Sequence, residues 1–171
     1  MALPSKLKHV NIFNDSHNWL GLMKSINLSK LNRKIEAYRA GGMVGAVGVD
    51  FGLADDALQV DWSIGGIEPL LYSQLGAAKA SAVKLRFMGS AQRDDTGEID
   101  SVEVSMHGRH EYVDTGEIKQ GEDSETKIKS WLTYYKLVVN GEVLVEIDVL
   151  NFIEIYSGVD SLEQHRKNIG L

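Results

Sequence analysis

The chain has 171 residues, of which 43% are hydrophobic and 25% are charged, and its net charge is −6. This length and balance are typical of one globular domain, residues 1–171, and exclude a disordered or fibrous protein. There is no cysteine, which excludes a disulfide framework and a thiol nucleophile, and no apolar stretch predicts a signal peptide or a membrane-spanning segment.

Charge is distributed unevenly along the chain. Residues 1–40 carry seven Lys/Arg and two Asp/Glu, whereas residues 94–125 carry eleven Asp/Glu and two Lys/Arg. This asymmetry permits attraction between the basic part of one copy and the acidic part of another, although solvated loops of opposite sign would give the same pattern. The lack of a dominant basic face argues against nucleic-acid binding.

The N-terminal part reads as strands separated by turns. Residues 7–14 predict a first strand, residues 14–17 a turn and residues 19–26 a second run, which together indicate a hairpin. After a basic segment without a clean period, we favour a strand at residues 34–39. The glycine-rich loop at residues 40–48 lacks the Gly-Lys-Ser/Thr motif and the helix of a phosphate-binding loop, so it is interpreted as a contact loop or a close approach of two backbones.

Two short strands are predicted at residues 49–53 and 57–64, before the period changes. Apolar residues then recur at helical spacing between Ile67 and Leu75. Pro69 stands where a first helical residue belongs and Gly76 stands just past the end. This pattern predicts one short helix that covers the sheet.

Alternating apolar and polar residues predict three further strands, at residues 83–88, 102–107 and 151–156. Residues 117–125 form a polar run that predicts a long exposed loop. At the C-terminus we expect a helix over residues 161–168, with its first turn capped by Asp160 and Glu163 and its last turn basic. The basic residues of that last turn are Arg166 and Lys167.

The strongest local signal is the hairpin over residues 126–149. Asn140-Gly141 supplies the two positive φ values of a type I′ turn between apolar runs. The uninterrupted register pairs Val139 with Glu142, Val138 with Val143, Lys136 with Val145, and Tyr134 with Ile147. One face is then expected to be buried: Leu132, Tyr134, Val138, Val143, Val145, Ile147 and Val149. The other face mixes apolar and acidic residues, which is typical of a subunit that contacts other subunits.

The motifs that resemble catalytic sites do not indicate an active site. Asp-Thr-Gly occurs at residues 95–97 and 114–116, but the copies lie too close to belong to the two lobes of an aspartic protease, and turn chemistry accounts for both. A homodimeric protease that uses Asp114 is the one such arrangement left open. His107 and His110 are three apart on a strand and so point to opposite faces, which disfavours a metal site. We therefore expect no catalytic, metal-binding or cofactor-binding residue.

Long segments, in order, resemble the major tail tube proteins of contractile-tailed phages, the P2-like tail tube and R-type pyocin tube family. The segments are LPSKLKHVNIFN (3–14), SKLNRKIEAYRAGGM (29–43), VDFGLADDALQVDWSIGG (49–66), FMGSAQRDDTGE (87–98), TGEIKQGEDSETKI (115–128), YYKLVVNGEVLVEIDVLN (134–151) and GVDSLEQHRKNIGL (158–171). The glycine-rich loop departs from the family by lacking a proline near Val47.

The resemblance implies a mainly β subunit, a β-sandwich or split barrel, with one short flanking helix and a short C-terminal helix. Six subunits would form a ring, and rings would stack into a hollow tube in the virion tail, assembled in the cytoplasm of the host bacterium. The implied partners are further copies of the chain, the tail sheath protein, the tape measure protein, and the baseplate and tail terminator proteins. DNA would pass through the lumen without specific binding.

Within this reading we expect contacts between stacked rings at the glycine-rich loop and at the loop of residues 117–125. The predicted contact residues are Arg39, Gly41, Gly42, Met43, Val44, Glu117, Lys119, Glu122, Asp123 and Glu125. Asn140 and Gly141 are expected to be structural turn residues. Two other functions stay open from the sequence: a secretion-system tube of the Hcp type and a small β-rich hydrolase.

Overall fold

The computed structural model describes residues 2–171 and is mainly β. The elements in that range are β1 (Lys6–Asn14), β2 (His17–Asn18), β3 (Met23–Asn27), β4 (Arg33–Tyr38), β5 (Val47–Leu53), β6 (Gln59–Gly65), α1 (Pro69–Leu75), β7 (Val83–Gln92), β8 (Ile99–Asp114), β9 (Glu125–Val139), β10 (Glu142–Asp148), β11 (Ile153–Tyr156), β12 (Val159–Asp160) and α2 (Glu163–Ile169). The predicted fold class is confirmed, with one short helix in the middle of the chain and one at its C-terminal end.

Strand β9 organises the larger sheet. It pairs with β8 over most of its length, with β10 along its C-terminal half and with β6 along its N-terminal half. The sheet therefore forks: one branch continues through β10 to β12, the other through β6 to β3. Beyond β8 it continues through β7 and β1 to β2, and it does not close into a barrel. Strands β4 and β5 pair only with each other.

The hydrophobic core lies against one face of this sheet. It is built from alternating side chains of the long strands, from Leu71 of α1 and from Trp19, whose ring centroid lies 5.2 Å from that of Trp62. The fully buried large side chains include Phe87, Ile12, Ile64, Leu71, Met106, Ile128 and Ile147. Helix α1 begins at Pro69, as predicted, and its single buried residue is Leu71.

A buried polar network holds α1 onto the sheet. The Gln74 side chain exchanges two hydrogen bonds of 2.8 Å with Asn14, and its Oε1 lies 3.2 Å from His110 Nε2. His110 Nδ1 lies 2.8 Å from Ser130 Oγ, so each ring nitrogen has a neutral partner. Burial lowers the pKa of His110 to about 4. The helix is thus docked on an imidazole whose protonation is opposed by its burial.

The stability of the subunit should therefore fall in mild acid. In the unfolded chain His110 takes up a proton at a pKa of 6.5, whereas in the folded subunit it does so only near pH 4. The contribution of neutral His110 to the free energy of unfolding is therefore fully present above pH 6.5 and decreases as the pH falls toward 4. We expect His110 to contribute a loss of about 3 kcal/mol over that range. Urea unfolding of the parent and of His110→Gln at pH 6.5 and at pH 4 measures this loss of stability. A stability difference between the two proteins that does not change with pH would contradict this role.

The central hairpin has the predicted turn. Asn140 and Gly141 have φ values of 49° and 79°, and Val139 pairs with Glu142 and Val138 with Val143 as expected. Beyond Val143 the predicted register is wrong, because a β-bulge at Leu144 shifts the pairing by one residue. The observed pairs are Val145 with Leu137, Glu146 with Lys136, Ile147 with Tyr135, and Asp148 with Tyr134.

The bulge changes which residues of the hairpin face the core. Leu132 and Ile147 are buried and Val145 packs against the core, as predicted. Tyr135 and Leu137, rather than Tyr134 and Val138, join them. A second irregularity, at Thr133 of β9, lets Leu132 and Tyr135 share the core face although they are three residues apart. Val149 lies past the strand and is exposed.

Two other predictions are corrected at the ends of the chain. Residues 19–26 are not one strand: only His17–Asn18 pairs with β1, and Met23–Asn27 pairs with β6 instead. The C-terminal helix starts at Glu163, and no side chain caps it. Asp160 lies in β12, where it accepts a hydrogen bond from the Leu162 N–H and forms an ion pair with Arg166. The expected capping box is therefore absent.

Candidate assembly surface

Strands β4 and β5 form an arm, residues 33–53, that stands away from the body of the subunit. Every residue of β4 is exposed, and so are the first five residues of β5. A two-stranded hairpin with both faces in water is marginally stable on its own. The arm is therefore the part of the subunit that most clearly needs a partner.

One face of the arm carries three exposed apolar side chains and one carboxylate. Paired residues of an antiparallel ladder share a face, and the register pairs Tyr38 with Val47 and Glu36 with Val49. Tyr38 and Val47 are 58% and 53% exposed, and Val49 is exposed beside them. We call these four residues the arm face. Exposed apolar side chains that adjoin one another are typical of a protein contact.

The predicted glycine-rich contact residues lie together at the tip of the arm. Met43 N–H donates to the Ala40 carbonyl at 3.2 Å, and Arg39 Nη2 lies 3.4 Å from the Val44 carbonyl oxygen, which closes the tip into a turn. Gly42 has a φ of 86°, a conformation that favours glycine. Val44 is fully exposed. Gly41 lies within the same turn.

The second predicted contact segment, residues 117–125, lies elsewhere on the subunit. Its first eight residues connect β8 to β9, and Glu125 already belongs to β9. Asp123 is paired with Lys24 of β3, which lowers the pKa of that carboxyl. Lys119 pairs with Glu117 at 3.6 Å inside the loop. Glu122 is exposed at its tip.

The two segments lie at opposite ends of strand β6. The arm leaves the body near Gln59, where β6 pairs with Trp131, while the loop meets the body near Gly65, where β6 pairs with Glu125. Six residues of extended strand span about 20 Å. The base of the arm and the base of the acidic loop therefore lie at two separate ends of β6.

Part of the uneven charge is neutralised within the subunit. Lys8 pairs with Asp94 at 2.6 Å, and Lys24 pairs with Asp123. The Leu3 N–H donates to Asp95 at 3.0 Å. These contacts join the basic N-terminal segment to the acidic segment of the same chain. The charges they use are therefore less available to attract a second copy of the chain.

The candidate catalytic motifs are turns in the structure. Asp114 Oδ1 accepts the Gly116 N–H at 2.8 Å, and Asp95 Oδ1 accepts the Thr96 N–H at 3.0 Å. His107 stacks on Tyr134 at 4.8 Å on the face away from buried His110. Within residues 2–171 no group of three or more His, Asp or Glu side chains is placed to hold a metal. Neither helix in that range is long and apolar enough to cross a membrane.

A forked open sheet that carries an exposed arm is the architecture of a structural subunit built to join other subunits. The chain belongs to the family described as phage tail tube protein FII, whose model matches residues 4–170. It is a structural tail tube protein of a P2-like contractile phage, and its relatives are not enzymes. The family membership decides between the alternatives left open by the sequence, against the hydrolase and in favour of the phage tube protein.

Two relatives match over most of their length. The chain is 52% identical to the tail tube protein of Escherichia phage P2 over 172 residues, covering all of both chains. It is 40% identical to the major tail tube protein of Serratia phage KSP20, covering 90% of this chain and 88% of that protein. Among solved structures, a chain of the six-fold symmetrised anti-feeding prophage baseplate, determined by cryo-electron microscopy, matches with a TM-score of 0.54 and 12% identity. It covers 81% of this chain and 97% of that one, and this likeness concerns the fold.

The arm face was missed by the sequence interpretation. Strands at residues 34–39 and 49–53 and the loop between them were predicted, but not that the two strands pair with each other alone. The alternation Val-Gly-Val-Asp-Phe at residues 47–51 predicts a strand with one apolar face, but it does not reveal that this face is left exposed.

Proposed function

We propose that the subunit, a single tail tube domain over residues 1–171, closes into six-membered rings that stack into a hollow tube. The observation that carries the proposal is the arm, because a hairpin exposed on both faces, with Tyr38, Val47 and Val49 among its exposed side chains, would gain stability by contact with another chain. Family membership supplies the partner, which is a further copy of the same chain.

Stacking is proposed to run head to tail. The arm leaves one end of β6 and the loop of residues 117–125 lies at the other end, so the arm of one ring would reach the loop of the next. The tip carries Arg39 and the loop carries exposed Glu122, which gives opposite charges at the meeting point. Contacts of this heterologous kind extend into a filament rather than closing on themselves.

Ring closure is proposed to join the open edges of the forked sheet. Strand β2 covers only Phe13 and Asn14 of β1, so among the strands of residues 2–171 none pairs with the outer edge of β1 from Lys6 to Asn11. At the far ends of the fork lie β12 and β3. An open strand edge invites pairing with another chain, and a closed ring removes the open edges of its six members.

The tube would then conduct cargo and meet the other parts of the tail. A net charge of −6 per subunit favours a lumen that repels DNA phosphates, so that the tape measure protein and later DNA pass without specific binding. The sheath would cover the outside, and baseplate and terminator proteins would meet the two ends. The tube would assemble in the bacterial cytoplasm and remain in the virion tail, or in a tailocin.

Charge reversal in the acidic loop should weaken stacking. We expect Glu122→Lys/Asp123→Lys to raise the concentration needed for tube growth about tenfold, or 1.4 kcal/mol, with the larger effect at low salt. Turbidity and tube length by electron microscopy measure it. Glu122→Lys alone keeps the Asp123–Lys24 pair and separates stacking from loop folding. Unchanged tube length and yield in both variants would remove this loop from the contact.

The absence of cysteine allows a direct test of head-to-tail stacking. In assembled Val44→Cys/Glu122→Cys protein, a short bifunctional maleimide should link the tip of one copy to the loop of another and give a ladder of multimers. Mixed single variants should stop at dimers. Val44→Cys/Tyr72→Cys is the matched control, because Tyr72 is also exposed but lies on α1. A ladder from the control and none from the test pair would contradict the proposed contact.

A further inference from the structure

The arm is joined to the body next to a β-bulge. A bulge interrupts the β4–β5 ladder between Arg33 and Ile35, and Gly52 in that bulge has a φ of 101°. A Cβ at Gly52 would have no heavy atom within 4 Å, so packing does not restrain the joint. Below it, Leu31 and Leu53 pack against the core and fix the start of the arm. Bending is therefore expected at the bulge.

Arg33 spans this joint with two carboxylates. Its Nε donates to Asp50 Oδ2 at 2.8 Å, on the arm side of Gly52, and its Nη1 donates to Glu154 of β11, on the body. Asp50 Oδ1 accepts the Gly52 N–H at 2.8 Å, so the same carboxylate also closes the bulge. The Gly52 N–H and Arg33, in that order, lower the pKa of Asp50.

The body end of this bridge is fixed. Glu154 is 4% exposed and also accepts the hydroxyl hydrogen of Tyr156 at 2.7 Å. A buried carboxylate needs a partner charge, and among the described residues Arg33 is the cation bonded to it. Asp50, at the arm end of the bridge, is exposed. Its hydrogen bond to Arg33 can therefore break without leaving a buried charge.

Little else connects the base of the arm to β10 and β11. A cleft of about 540 Å³ separates Phe51 and Gly52 of the arm from Val149, Phe152 and His165 of the body. Phe51 is 62% exposed over this cleft, so most of its surface makes no packing contact with the body. The Arg33 bridge, between Asp50 and Glu154, connects the two sides of this cleft.

We propose that Arg33, bonded at once to Asp50 and Glu154, is a positioning residue that holds the arm at the angle needed to contact another copy of the chain. This inference rests on the proposed function, because it assumes that the arm makes that contact. A guanidinium is suited to the task, since its planar fork can satisfy two carboxylates in fixed directions whereas a lysine ammonium cannot. Losing the bridge would leave the subunit folded with a mobile arm.

The test uses Asp50→Asn in the full-length chain. This change removes the acceptor for Arg33 Nε, while the amide oxygen still accepts the Gly52 N–H and the Arg33–Glu154 pair stays intact. We expect amides of residues 35–38 and 47–49 to exchange hydrogen about tenfold faster, with exchange in β8 and β9 unchanged. The concentration needed for tube growth should rise about tenfold. Asp61→Asn, an exposed carboxylate on β6, is the matched control.

Arg33→Lys provides a second measurement. It keeps the charge beside Glu154, so the body should fold, but it should reproduce the faster exchange of the arm. Unchanged exchange in the arm of both variants would overturn the inference. Faster exchange with normal tube growth would also overturn it, provided that substitutions on the arm face still block assembly. If substitutions on the arm face leave assembly intact as well, the proposed function itself fails.

Discussion

The Val47→Lys/Val49→Lys protein is expected to fold like the parent and to remain as single subunits. Both positions are exposed on the arm face, and Lys at residue 49 would lie opposite Glu36, so the hairpin itself tolerates the change. In an assembled tube the ammonium group at residue 47 would be buried without a partner, which costs several kcal/mol. We expect the concentration needed for assembly to rise more than about 100-fold, or 2.7 kcal/mol.

Sedimentation velocity and thermal unfolding distinguish the expected result from simple misfolding. The variant should sediment as a monomer with a melting temperature within a few degrees of the parent. Tyr72→Lys, an exposed position on α1, controls for an added charge and should still assemble. Normal tubes from the double variant would show that the arm face is not a subunit contact. Loss of assembly in the control as well would show that the effect is not specific to the arm.

Asn140→Pro is expected to cause the largest loss of stability. The turn requires a φ of 49° at residue 140, whereas proline fixes φ near −65°. Proline also removes the N–H that donates to the Ser101 carbonyl at 2.9 Å and the side chain that bonds both the Ser101 N–H and Asp100. Backbone strain and the lost hydrogen bonds together should cost about 3–5 kcal/mol, a large share of the stability of a domain.

Asn140→Gly is the matched control for that substitution. Glycine keeps the positive φ and the backbone N–H and loses only the side-chain hydrogen bonds, so it should cost about 1–2 kcal/mol. Urea unfolding monitored by tryptophan fluorescence measures both variants. A proline variant as stable as the parent, or one that forms intact tubes, would contradict the turn assignment.

The sequence predicted those parts of the fold that depend on neighbours in the chain. Asn140-Gly141 determines its own turn because few residue pairs accept two positive φ values, and the first two pairs of the hairpin follow from a two-residue loop. Pro69 likewise set the start of α1. These features need only local sterics.

The bulge at Leu144 could not be read in the same way. It depends on how β10 fits between β9 and β11, so it is decided by packing across the sheet rather than by the residues of the hairpin. Its consequence is large, because one extra residue moves every later side chain to the other face. The exchange of Tyr134 for Tyr135 in the core follows from it together with the irregularity at Thr133.

The candidate site shows the same limit. The glycine-rich tip was recognised because its composition is unusual, and Asp123 was singled out because it lies in an acidic run. That Asp123 is paired with Lys24, 99 residues earlier, depends on the tertiary fold. The Arg33 bridge joins three strands, β4, β5 and β11, and no local pattern around Arg33 distinguishes it from other basic residues of the N-terminal segment.

Negative-stain electron microscopy of the purified protein at increasing concentration tests the central claim most directly. If copies join through the arm and through the open edges of the sheet, the micrographs will show six-fold annuli and hollow filaments whose length grows with concentration. A protein that stays monomeric at every concentration, with neither annuli nor filaments, would contradict the account.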